Sequence, residues 1–110
     1  MKYLHEELSK GRWQELSLAE QLANIGSEVS RAVRWQGRDG KIFWSAVERA
    51  LELFSLTMSD SRWHQRLKEI TRLHEVFCDA VLGGKEYQSR LEEIERYFFY
   101  FALYSRKVKS

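Results

Sequence analysis

The chain has 110 residues, with 18 Lys and Arg against 16 Asp and Glu, 44% apolar residues, no proline and one cysteine. This length predicts one compact domain, and the apolar fraction excludes an intrinsically disordered chain. A single cysteine excludes an intrachain disulfide, and the first residues lack the basic and apolar regions of a signal peptide, so we expect a cytoplasmic protein.

The first 16 residues are predicted to form an N-terminal segment, with a short helix over residues 3–8 and a linker through Trp13 and Leu16. A long helix should begin at Ser17, because Ser17 and Glu20 have the spacing of a capping box, and should run to about Trp35. Small residues beside its apolar stripe permit the close approach of a neighbouring helix. These small residues are Ala19, Ala23 and Gly26.

A second helix is predicted over residues 41–57, with Asp39 as its N-cap. Its apolar residues cover about half of the circumference, so this helix should contact two neighbours. The predicted inner face consists of Phe43, Ala46, Val47, Ala50, Leu53 and Phe54.

A third helix should be capped by Ser59, Asp60 or Ser61 and run to Leu82, where the two glycines 83–84 end it. A fourth should open with the capping box of Ser89 and Glu92 and run to about residue 105, followed by a basic tail over residues 106–110. Short turns between long helices favour antiparallel neighbours. We therefore predict an all-α fold, an up-down four-helix bundle with a short N-terminal helix, as one domain over residues 1–110.

Several segments resemble small bacterial and archaeal helical proteins of unknown function. In size and helix count the chain also looks like the four-helix-bundle accessory proteins of diversity-generating retroelements. The second resemblance, which is at the level of fold, implies ring assembly and association with nucleic acid or a reverse transcriptase. The segments that carry the first resemblance are residues 12–13, 17–22, 24–29, 31–32, 49–53, 62–63, 66–70, 97–98 and 101–102.

Two groups of side chains have the residue types of a reactive site, but their surroundings favour other roles. His74 and Cys78 lie four residues apart beside an apolar stripe, where a cysteine packs as a small hydrophobic residue. Two pairs of carboxylates have a spacing of four, whereas the magnesium-dependent all-α pyrophosphohydrolases have pairs three apart. We expect both pairs on solvated outer faces, so a metal-dependent phosphohydrolase is the least favoured alternative function, and we predict no catalytic residue, metal or cofactor. The pairs are Glu48 with Glu52 and Glu75 with Asp79.

Two basic clusters make nucleic-acid binding the alternative function. The first, at the end of the first long helix, combines Arg31 and Arg34 with Trp35, since arginine binds phosphate and tryptophan stacks on a base. An up-down bundle would also bring the start of the third helix close to the end of the fourth. That second cluster consists of Arg62, Arg66, Arg106 and Lys107. The net charge of +2 arises wholly within residues 83–110, so the rest of the chain is neutral, which weakens this alternative.

The strongest signal is the run over residues 97–104, which is apolar around the whole helix and cannot be buried against one side of a bundle. Its eight residues fall short of the roughly 20 that span a membrane, so we expect no membrane association. Either the N-terminal Tyr3, Leu4 and Leu8 or a second subunit should cover it. We favour a non-catalytic interaction module that forms a homo-oligomer or binds a protein partner. The predicted interface residues are Tyr97, Phe99, Tyr100, Leu103 and Tyr104.

Overall fold

The computed structural model describes residues 11–84 and 90–109, with side chains except at residues 101, 102 and 104–109. Within these ranges the chain forms four α-helices and two short 3-10 helices, and no strand, which confirms the predicted all-α class. The α-helices are α1, Leu18–Trp35; α2, Gly40–Met58; α3, Leu67–Val81; and α4, Leu91–Lys109. The 3-10 helices are Trp13–Glu15 and Ser61–Arg66.

The first two helices begin at the predicted caps. The Ser17 hydroxyl accepts a hydrogen bond from the Glu20 amide at 3.1 Å, and the Glu20 carboxylate accepts one from the Ser17 amide at 3.0 Å. Asp39 Oδ1 accepts from the amides of Lys41 and Ile42 at 3.0 and 3.1 Å. Each carboxylate or hydroxyl thus satisfies helix N–H groups that have no partner within the helix.

The third helix differs from its prediction at its start. Asp60 provides the cap, as one of the three predicted candidates, but the chain first forms a 3-10 helix with non-helical angles at Trp63 (φ −101°, ψ 20°). The α-helix begins only at Leu67, because the side chains of Arg62 and Trp63 are fixed by hydrogen bonds to neighbouring elements. The predicted end is confirmed, with Gly83 at φ 108°.

The fourth helix ends at Lys109, four residues beyond its predicted end near residue 105, so most of the predicted basic segment over residues 106–110 is helical. Lysine and arginine are good helix formers, and positive charge is favourable at a helix C-terminus. The predicted capping residue Ser89 and the predicted short helix over residues 3–8 lie outside the described residues.

The prediction of a linker at Trp13 was also wrong, because the Trp13 side chain is fully buried in the core. The 3-10 helix that contains it lies against the bundle, and its indole N–H donates to Thr57 Oγ1 at 3.1 Å. Trp13 therefore anchors the chain before α1 to the end of α2.

Helix α1 is central to the bundle, since it packs closely against both α2 and α4, while α2 also packs against α3. The helices alternate in direction, as the up-down prediction required. All six predicted inner residues of α2 are buried. Phe54 of α2 lies at the middle of the core, with its ring centroid 5.6 Å from that of Phe77 and 6.1 Å from that of Phe98. None of the described helices is long and apolar enough to cross a membrane.

The close contact between α1 and α4 depends on Gly26. A Cβ atom at this position would lie 2.7 Å from Phe98 Cβ, which is shorter than a normal contact between carbon atoms. Because Phe98 Cβ is attached directly to the backbone, relief would require the two helices to separate. Gly26 thus sets the distance between α1 and α4.

We expect Gly26→Ala to lower the free energy of unfolding by about 1–3 kcal/mol, although alanine is the better helix former, because overpacking outweighs propensity. The matched control is Gly40→Ala, since a Cβ at Gly40 meets nothing within 4 Å. Urea unfolding followed by circular dichroism measures both variants. Equal stability of the two variants would contradict the role of Gly26.

Candidate functional site

The candidate site is the side of α4 that faces away from the bundle. Leu91, Ile94 and Phe98 are buried and form the inner stripe of this helix. At 100° per residue, the residues beside Phe98 in sequence turn away from that stripe. A helix with apolar residues all round therefore presents an apolar surface that its own bundle does not cover.

Four of the predicted interface residues are large, apolar and exposed. The exposed fractions are 51% for Tyr97, 58% for Phe99, 64% for Tyr100 and 45% for Leu103. We call these four residues the outer face of α4. Tyr104, the fifth predicted residue, lies outside the described side chains, as do Tyr3, Leu4 and Leu8, the predicted intramolecular cover.

The outer face is bordered by a groove on each side. Phe99 lines a groove against α1, where Ala23, Ser27 and Ser30 are the α1 residues beside Gly26. Tyr97 lines the other groove, against Leu73 and Val76 of α3. The second groove exists because α3 and α4 pack less closely than α1 and α4. The outer face thus lies between two grooves, and side chains of a partner can enter these grooves.

A buried polar cluster lies at the end of the bundle where α1 begins and α2 ends. Its centre is Gln21, whose Nε2 donates to the Trp13 carbonyl at 2.9 Å and to Asp60 Oδ2 at 3.0 Å. Gln21 Oε1 accepts from the Trp63 indole N–H at 2.9 Å. The indole can only donate, so this arrangement fixes the orientation of the Gln21 amide.

Asp60 is the charged member of this cluster. Its carboxylate forms an ion pair with Arg62 at 2.7 Å and also accepts from the Arg62 Nε and backbone amide. The hydrogen bonds from the Arg62 side chain, with a smaller contribution from Gln21, lower the pKa of Asp60 to about 2 against the opposing effect of burial. Arg62 Nη2 also donates to the Leu16 carbonyl at 2.7 Å. We call Trp13, Gln21, Thr57, Asp60, Arg62 and Trp63 the polar junction.

The sequence interpretation missed the polar junction, apart from Asp60 as a cap. A signal was present, because Gln21 and Thr57 interrupt apolar stripes: Gln21 lies between Leu18 and Ile25, and Thr57 follows Leu53 by four residues. A polar residue at such a position must find a hydrogen-bond partner on another element.

The predicted basic clusters are only partly available for nucleic acid in the described structure. Arg62 is held by Asp60, and Arg66 forms an ion pair with Glu69 at 2.9 Å. Trp35 packs against the core and is half-buried, which leaves it poorly placed to stack on a base, while Arg31 is half-buried and Arg34 exposed. The side chains of Arg106 and Lys107 lie outside the description, so nucleic-acid binding stays a prediction.

His74 and Cys78 lie together, with Cys78 Sγ 3.7 Å from His74 Nε2. Burial lowers the pKa of His74, and burial together with the nearby Glu75 raises the pKa of Cys78. Both shifts favour the neutral side chains, whereas a reactive cysteine needs its thiolate. The His74 ring instead packs edge-on against Phe54, with centroids 5.2 Å apart.

The carboxylate pairs differ from the prediction that all four lie on solvated outer faces. Glu48 and Glu75 are exposed, but Glu52 is half-buried and Asp79 is buried. Asp79 lies in the last turn of α3 and is buried there, although 100° per residue places it on the opposite side of the helix from Ile70. Across residues 11–84 and 90–109, no group of three or more His, Cys, Asp or Glu side chains lies close enough to hold a metal ion.

The chain matches no family model, no curated protein and no solved structure. The two resemblances found in the sequence therefore stay predictions.

The polar junction predicts a loss of stability in acid. Asp60 has a pKa of about 2 in the folded protein against 3.8 ordinarily, so the folded state favours its ionised form. The stabilisation is complete above about pH 5 and is lost as the pH falls through 2, and it amounts to about 2 kcal/mol. Asp60→Asn should remove this part of the pH dependence in urea unfolding between pH 5 and pH 2.

Asp39→Asn is the matched control, because Asp39 is an exposed cap and asparagine caps a helix equally well. This variant should keep the acid loss of the original chain. The same pH profile for Asp60→Asn and the original chain would show that Asp60 does not stabilise the fold through its charge.

Proposed function

We propose that the protein is a non-catalytic helical interaction module that self-associates through the outer face of α4. The observation that carries this proposal is the exposure of Tyr97, Phe99, Tyr100 and Leu103 on one helix, each by 45–64%. Contiguous exposed apolar surface marks association sites, and aromatic residues are enriched in their centres.

The size of this surface supports association with a partner of similar size. Fully buried aromatic side chains remove about 150–250 Å² each, so the three aromatic side chains and Leu103, each about half exposed, offer roughly 400 Å² per copy. Two copies would bury roughly 800 Å² from these residues alone. Contacts with the rims of the grooves would raise the buried area towards the value of about 1,000 Å² that specific interfaces reach.

A second copy of the chain is the partner that the charge distribution favours. Residues 1–82 carry no net charge and the whole chain carries +2, so two copies meet with little repulsion. Two-fold dimers are the commonest assemblies, and they bury the same surface of both subunits. An aromatic surface on one exposed helix suits such a self-complementary contact.

We expect the double variant Phe99→Glu, Leu103→Glu to reduce the assembly to a monomer or a smaller oligomer, because association would bury four carboxylates per dimer without partners. Size-exclusion chromatography with light scattering measures the mass, and circular dichroism checks that the helices are kept. An unchanged mass in a folded double variant would refute the proposed interface.

The matched control is Leu82→Glu. Leu82 is the most exposed large apolar residue described, at 74%, but it lies at the end of α3 and not on the outer face. This variant should keep the mass of the original chain.

Absorbance at 260 and 280 nm on the same column distinguishes the alternative function, since co-eluting nucleic acid that heparin displaces would favour the basic clusters instead.

A further inference from the structure

In helix α4, three pairs of adjacent residues follow one another at intervals of seven, and the two members of each pair have the same chemical type. Acidic residues occupy positions 92 and 93, aromatic residues occupy positions 99 and 100, and basic residues occupy positions 106 and 107. All six positions lie within the helix Leu91–Lys109. At these six positions the order along the helix is acid, aromatic and base, and the exposed Arg96 lies between the acidic and the aromatic pair.

Positions seven apart lie on nearly the same side of a helix, because seven steps of 100° fall only 20° short of two full turns. Each acidic position thus shares a stripe with one aromatic and one basic position. Phe99 and Tyr100 are exposed members of the outer face, and Glu92 and Glu93 are also exposed. Fourteen residues separate the first and last members of a stripe, or about 21 Å along the axis.

We propose that two copies of the chain pair their α4 helices antiparallel, around a two-fold axis near Tyr100. The acidic positions 92 and 93 of each copy then lie opposite the basic positions 106 and 107 of the other copy, and the aromatic positions meet at the centre. This inference rests on the proposed self-association and adds the orientation of the subunits and the residues that select it.

Electrostatics favours this orientation over the parallel one. A parallel pair would place acidic positions opposite acidic positions and basic opposite basic, whereas the antiparallel pair brings opposite charges together at both ends. Like charges that face each other across an interface disfavour the wrong arrangement, and opposite charges fix the register. The contacts also satisfy two-fold symmetry, since each contact occurs twice.

The same charge order also suits a single helix, because acidic residues stabilise an N-terminus and basic residues a C-terminus. The helix dipole and charge pairing between copies alter different equilibria. The helix dipole acts within one copy, so it alters stability and leaves the monomer–dimer equilibrium unchanged. Charge pairing between copies alters the dissociation constant and weakens as the salt concentration rises.

The test compares three variants of the full chain by sedimentation equilibrium at low salt. Glu92→Lys with Glu93→Lys should weaken the dimer about tenfold, and so should Arg106→Glu with Lys107→Glu, because each replaces attraction by repulsion at both ends. The variant with all four reversals exchanges the two signs and should recover the original dissociation constant within about threefold. Its helix dipole is the least favourable of all, so recovery separates pairing from helix stability.

Disulfide formation tests the orientation directly, in a Cys78→Ser background that removes the natural thiol. Antiparallel pairing predicts that a mixture of Glu93→Cys and Lys107→Cys chains oxidises to a dimer joined between positions 93 and 107. A dimer joined between two copies of position 93 would overturn the proposal.

The outcomes separate this inference from the proposed function. The original chain can dimerise, and Phe99→Glu, Leu103→Glu can disrupt the dimer, while the charge reversals leave the dissociation constant unchanged. This result would support the interface and refute the antiparallel orientation. If the original chain stays monomeric at every concentration, both proposals fall together.

Discussion

The end of the bundle where α1 begins and α2 ends depends on the hydrogen bonds of Gln21 and Asp60. The two side chains are buried, and between them they connect the Trp13 segment, α1 and the turn between α2 and α3. A buried carboxylate or amide destabilises a protein unless its polar atoms find partners, and here the contacts come from several elements at once. The registers of α1, α2 and the 3-10 helix before α3 are therefore fixed together. Arg62 completes the arrangement through Asp60 and the Leu16 carbonyl, which gives this arginine a structural role in the folded chain.

Helix α4 is held in a different way. Its described inner side chains, Leu91, Ile94 and Phe98, pack against the core, and the close approach at Gly26 brings Phe98 against α1. Packing of one side of α4 against the core and α1 cannot also bury the opposite side of the same helix. The outer face is thus the direct consequence of an apolar sequence on a helix that, among the described elements, packs closely against α1 alone. Apolar packing has no fixed direction, so the charged residues at the two ends of α4 are the groups able to give an association its orientation.

Much of the fold follows from local sequence rules. The capping residues Ser17 and Asp39, the stop at Gly83 and the inner stripe of α2 were all predictable, because caps and helical periodicity involve residues within a few positions of each other. The buried position of Trp13 was not, since its indole partner Thr57 is 44 residues away. The delayed start of α3 has the same cause, because Trp63 bonds to Gln21, 42 residues earlier. For the site, the apolar run of α4 predicted which residues would be exposed, whereas the grooves beside them depend on how closely three helices pack.

Self-association through α4 makes the mass of the particle depend on concentration, and sedimentation velocity of the unmodified chain over a hundredfold range of concentration measures this dependence. We expect an average mass that rises with concentration from 13.2 kDa towards a multiple of that value, with an absorbance spectrum typical of protein alone. A mass that stays at 13.2 kDa throughout that range would refute self-association through α4.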